Sequence, residues 1–143
     1  MQNYSFRTTI RIWHPSIHPE LISAELGLKA WHSAMAGQPR QTPKGHPLDG
    51  TYAESYWSCD PWQRGEIAST DLLIEESVSE VLDLLTPHKV FLKRLHAEGG
   101  RILVWVSSYS NRNYAIEMPP EQLQRFADLS ISFAHDIFPV RQN

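Results

Sequence analysis

The stretch RILVWVSSY, residues 101–109, decides the fold. Successive side chains of a strand point to opposite faces. That puts Ile102, Val104 and Val106 on one side and Leu103 and Trp105 on the other. A strand with one wet face alternates apolar with polar, whereas this one is apolar on both sides. It therefore predicts a central strand covered on both faces.

Working outward, Tyr4–Trp13 alternates cleanly. Tyr4, Phe6, Thr8, Ile10 and Ile12 share one face, and Ser5, Arg7, Thr9 and Arg11 share the other, as in a half-buried strand. Thr51–Cys59 predicts a second strand with Ala53, Ser55, Trp57 and Cys59 on one side, stopped by Pro61 and Gly65. Leu129–Ile137 predicts the last. Between strands, "SIHPELISAELGL" places Pro19 in a first helical turn, Glu20 at the positive end of the dipole and Gly27 as C-cap. Ser69 and Thr70 offer N-caps to a longer helical segment, Ser69–Ala97. In it Ile74, Val78, Val81, Leu82 and Leu85 form an apolar stripe, and Pro87 must break or restart the helix. Pro119 and Pro120 open another helix, with Leu123, Phe126 and Ala127 on its buried side.

"IRIW…HPELISAELGL" and "VWVS…PPEQLQRFADL" share one plan: strand, loop, Pro-Glu helix start and a Leu-containing helix, each followed by a further strand. Two such halves, joined by the 69–97 helical linker, predict a single α+β domain over residues 1–143. The expected architecture is a ferredoxin-like two-layer sandwich with a four-stranded, mainly antiparallel sheet. The first and third strands would be central. The second apolar face of the third would then be covered by the linker, by the long 31–50 stretch or by a second copy of the chain. That stretch, "WHSAMAGQPRQTPKGHPLDG", carries three prolines and three glycines and reads as an irregular excursion or a binding loop.

Composition narrows the functions. Of 143 residues 41% are hydrophobic and 20% charged, which is ordinary for a globular domain. The 13 lysines and arginines are scattered and outnumbered by 16 acids, for a net charge of −3, so nucleic acid is not the expected partner. A single cysteine makes no internal disulfide, which fits a reducing compartment. No stretch reaches the ~18 apolar residues of a membrane span. The start of the chain, "MQNYSFRTTIRIW", has no apolar signal core. A cytoplasmic protein without membrane association is expected.

No constellation of nucleophile, base and orienter is visible, so no catalytic residues, metal or cofactor are assigned. Cys59 has Asp60 beside it, which raises a thiol pKa rather than lowering it, and reads as a buried strand residue. Seven histidines include no His-Glu-x-x-His and read as loop and surface residues. His135 and Asp136 are strand neighbours on opposite faces and make no dyad. Glu76, Glu80 and Asp83 share a helix face that reads as solvated. "AGQPRQTPKG" lacks phosphate-loop spacing. The five tryptophans carry more information. Trp57 and Trp105 read as core. Trp31 and Trp62, with Arg40 and Arg64, flank the irregular stretch and are the candidate binding residues.

Several of these motifs together resemble a bacterial family, domain of unknown function 4279. They are "HPELISAELGL" with "KAWHSAMAGQP", Trp57-Ser58, and then "SSYS", "MPPEQLQRFADL" and "SFAHDIF". The resemblance spans nearly the whole chain and implies no activity or catalytic residues. The expectation is a non-catalytic interaction or regulatory module, immunity-like by analogy, whose partner is another protein or a second copy. The alternative is a small-ligand-binding protein or minor hydrolase using a cleft beside residues 33–50.

Overall fold

The computed structural model describes residues 3–140. In chain order its elements are β1 (Ser5–His14), α1 (Pro19–Leu26), β2 (His32–Ala34), β3 (Pro39–Gln41), β4 (Pro47–Thr51), β5 (Ser55–Cys59), β6 (Ile67–Ala68), α2 (Ile74–Leu85), α3 (Lys89–Ala97), β7 (Arg101–Tyr109), α4 (Pro120–Asp128) and β8 (Ile131–Phe138). Six strands form one sheet in the order β2-β5-β1-β7-β8, with β6 pairing to β1 beyond the end of β5. The hairpin β3-β4 is a separate two-stranded sheet.

The ferredoxin-like expectation is overturned. β1 and β7 are central, but the halves are not alike. In that fold each strand–helix–strand unit is split by a strand from the other half. Here β7 and β8 are direct parallel neighbours in register from Ile102↔Ile131 to Tyr109↔Phe138, so the second unit is closed. The first unit is split, and by its own half: β2 runs parallel to β1, and β5 lies antiparallel between them. The strand that completes the α1 unit is thus His32–Ala34, not Thr51–Cys59. Three residues are too few for alternation to reveal. The second half of the 31–50 stretch is also ordered, as the β3-β4 hairpin.

All four helices pack on one face. Phe6, Ile10, Ile12, Trp57, Cys59, Ile102, Val104 and Val106 point into them and are essentially inaccessible. The α2 stripe of Ile74, Val78, Val81, Leu82 and Leu85 meets that layer as its spacing requires. Pro19 stands in the first turn of α1, and Gly27 ends the helix at φ 67°, the left-handed conformation that glycine adopts without strain. Pro87 sits in a 3-10 turn, Thr86–His88, that restarts the chain as α3. Ser69 is not the cap of α2: Leu73 is, and the Ser69 hydroxyl instead accepts the Tyr4 amide at 3.0 Å. His14 is buried rather than a surface residue. Its Nδ1 accepts the amides of Ser16 and Ile17, and its Nε2 meets Glu98 at 3.0 Å, fixing the exit from β1.

The opposite face carries no helix. Register places Arg7, Thr9, Arg11 and Trp13 of β1 there, beside Tyr56 and Ser58 of β5 and Leu103, Trp105, Ser107 and Tyr109 of β7. Ala134, Asp136 and Phe138 of β8 complete it. Leu103 is nonetheless only 5% exposed. The helical linker packs on the other face and does not cover it. Its neighbour Arg11 folds across the strand and sets its guanidinium 4.3 Å from the Trp105 ring.

Candidate functional site

The helix-free face is organised by arginine–tryptophan stacks. Arg7 lies 5.0 Å from the Trp31 ring, Arg11 4.3 Å from Trp105 and Arg101 5.2 Å from Trp13, which packs in turn on Tyr56. The negative face of an indole attracts a guanidinium, and stacking leaves the N–H edges available. The basic side chains that meet a carboxylate among the described residues are His14 at Glu98, Arg64 at Glu80 and Arg125 at Asp83, so none of the three stacked arginines is paired with a carboxylate.

The same face collects unsatisfied hydrogen-bonding groups. Among the described residues the buried side-chain atoms without a partner are Arg7 Nε, Ser58 Oγ, Trp105 Nε1, Asp136 Oδ1 and Glu75 Oε1. The first four belong to this face. Buried polar atoms are nearly always paired in folded proteins, because an unmade hydrogen bond costs about 1–3 kcal/mol.

Local sequence opens the sheet beside Arg7. β5 pairs with residues 10–14 of β1 and β6 with residues 5 and 6, while the turn between them swings outward. Asp60 builds that turn. Its carboxylate accepts the Arg64 amide at 3.3 Å and the Gly65 amide at 2.9 Å. Gln63 at φ 55° and Gly65 at φ 67° complete the reversal. The resulting cavity, about 480 Å³, is lined by Arg7, Lys29, Ala30, Trp31, Asp60 and the turn. A second, of about 720 Å³, opens on the other side of Arg7 against Tyr109, Phe138 and Val140. Arg7 therefore stands between two hollows.

The four residues expected to bind do not form one site. Trp31 is 48% exposed and walls the smaller cavity. Trp62 carries Arg64 over its ring at 4.6 Å, and Arg64 reaches Glu80 of α2 at 2.7 Å, so this pair ties the turn to a helix. Arg40 donates to the Asp49 carbonyl at 3.2 Å inside the hairpin. The expected cleft is present, about 630 Å³ between the hairpin and the β2-β5 edge, with Trp13, Tyr52 and Tyr56 among its walls. Arg7, Arg11 and Lys29 were not singled out by sequence, since arginines on the polar side of an alternating strand look like ordinary solvated residues. Arg7 and Arg11 are marked only by their stacks on Trp31 and Trp105, and Lys29 only by its place in the cavity lining.

Catalytic arrangements are weak. Cys59 is inaccessible, and burial, with Asp60 adding to it, pushes its thiol up to about 11. Ser108 Oγ lies 2.8 Å from His135 Nε2 and also meets the Tyr114 hydroxyl, but Ser108 is fully buried and reaches no cavity described above. Burial holds the His135 pKa below its usual value, partly opposed by Asp136. Among the described residues no group of His, Cys, Asp or Glu is arranged to hold a metal ion, and no helix is long and apolar enough to cross a membrane.

No curated protein and no solved structure matches the chain. A family model does, over residues 4–139. That span runs from the first strand to just past the last, and the chain belongs to the family described as domain of unknown function DUF4279.

Proposed function

We propose that this chain is a non-catalytic interaction module that receives a protein partner on the helix-free face of its sheet. The observation that carries the reading is the gathering of Arg7 Nε, Ser58 Oγ, Trp105 Nε1 and Asp136 Oδ1, all buried and unpartnered, on one face. Arginine and tryptophan are the residue types that dominate binding energy at protein interfaces. Three arginines without carboxylate partners call for an acidic patch opposite. The net charge of −3, with Asp60, Glu66 and Asp136 on or beside this face, favours discrete carboxylates over a continuous polyphosphate. A module that works by occupying a partner suits a regulatory role.

The test is affinity capture with the wild type and with an Arg11→Ala/Arg101→Ala variant of unchanged melting temperature. One stoichiometric protein held by the wild type and lost by the variant is the expected result. Retention by the variant removes this face from recognition. The cleft of about 630 Å³ favours the second reading, a small-ligand-binding protein. Capture of nothing, together with thermal stabilisation by one metabolite that is lost on Tyr56→Ala, would replace the first reading with the second.

A further inference from the structure

We propose that the cavity between Arg7, Lys29 and Trp31 is a site for a small organic anion, a carboxylate or phosphate carried on a flat or apolar body. The inference goes beyond the interaction reading and needs no protein partner. The cavity exists because the sheet parts between β5 and β6, and its volume of about 480 Å³ falls in the range of small-molecule sites. That is more room than a bare ion fills, and Ala30 and the half-exposed Trp31 give it an apolar wall.

Its electrostatics point the same way. Arg7 and Lys29 bring two cations to the lining, against the single carboxylate of Asp60. Both Asp60 oxygens are engaged by backbone amides of the turn, so that acid holds the wall in shape, and among the described residues it makes no ion pair with Arg7. Arg7 is pre-organised by its stack on Trp31. A cation already fixed in place loses little rotamer freedom when an anion arrives. The turn also holds Gln63 at φ 55°, a conformation unfavourable for a residue with a side chain and often found where a binding wall must be shaped.

The experiment follows the indole N–H resonances of the five tryptophans by NMR during titration with AMP, adenosine, phenylacetate and phenylacetamide. A saturable shift of the Trp31 signal with at least one of the two anions is expected, with its uncharged counterpart at least about tenfold weaker. Tighter AMP identifies a phosphate ligand, and tighter phenylacetate a carboxylate. Arg7→Gln should abolish the shift. Lys29→Gln, at an exposed position outside the strands, should weaken binding about threefold or more without disturbing the fold. The proposal is overturned if neither anion moves Trp31, if the neutral compounds bind equally well, or if Lys29→Gln binds as the wild type does. None of these results touches the Arg11/Arg101 capture experiment, so the two readings fail separately.

Discussion

Along β1, Phe6, Thr8, Ile10 and Ile12 look into the helices, while Ser5, Arg7, Thr9, Arg11 and Trp13 look away from them. The two sides treat polar atoms in opposite ways. Under the helices, Thr8 Oγ1 accepts from Ser77 Oγ at 2.9 Å, Trp57 Nε1 donates to Ser23 Oγ at 2.9 Å, and Ser108 meets Tyr114 and His135. On the helix-free side, Trp105 Nε1 is buried with no acceptor and the arginines stack without carboxylates. The covered face satisfies these groups within the fold; the helix-free face leaves Trp105 Nε1, Ser58 Oγ and Asp136 Oδ1 without a hydrogen-bond partner among the described residues. Two indoles on the strands that flank β1 thus sit in different surroundings.

The largest test of that contrast compares those indoles. Trp57 is wholly inaccessible, so Trp57→Ala removes a packed ring and leaves a cavity, and should cost about 3–5 kcal/mol of stability. Trp105 is only partly buried and its N–H lacks an acceptor. Trp105→Ala should cost about 1–2 kcal/mol, because relief of the unmade hydrogen bond offsets part of the lost stacking. Urea unfolding midpoints measure both. Equal losses would mean that the two faces are equally structural and would undo the contrast.

How far sequence could see this follows from the same residues. Alternation over ten residues of β1 and nine of β7 marks two long strands, and both lie inside the sheet rather than at its edges. The α2 stripe, Pro19, Gly27 and Pro87 were each legible because their reasons are local: spacing, a missing N–H, a left-handed φ. The order of the sheet was not legible. It depends on β2 and β6, three and two residues long, whose pairing is set by tertiary context rather than by pattern. The site was hidden for a related reason. Periodicity says that Arg7 and Arg11 lie on the far side from Phe6, but not that Trp31 and Trp105, from two other parts of the chain, lie against them.

Cys59 sharpens the contrast at smaller scale. It faces the helices at 1% exposure, and a thiol pKa near 11 leaves about one molecule in a thousand ionised at pH 8. In native protein it should react with a disulfide reagent at least about a hundredfold more slowly than in urea. Cys59→Ala should cost about 1 kcal/mol and leave partner capture unchanged. Fast native labelling would show that the covered face opens there, and loss of capture would show that binding reaches through the sheet.

The smallest effect concerns His135, whose ring lies on the covered side with Nε2 2.8 Å from Ser108 Oγ and 3.0 Å from the Tyr114 hydroxyl. Burial is the main cause of its lowered pKa. In the unfolded chain an ordinary histidine takes a proton near pH 6.5, while folded His135 still resists it. Below that pH the unfolded state therefore binds more protons, and stability falls as acid is added until the folded ring also protonates. Between pH 7 and pH 5 the wild type should lose more stability than His135→Gln, which keeps a polar group beside Ser108 and Tyr114 but cannot take up a proton. Parallel pH profiles would remove His135 as the cause. A steeper wild-type profile would show that the covered face favours the neutral ring, because burial penalises the charged imidazolium there.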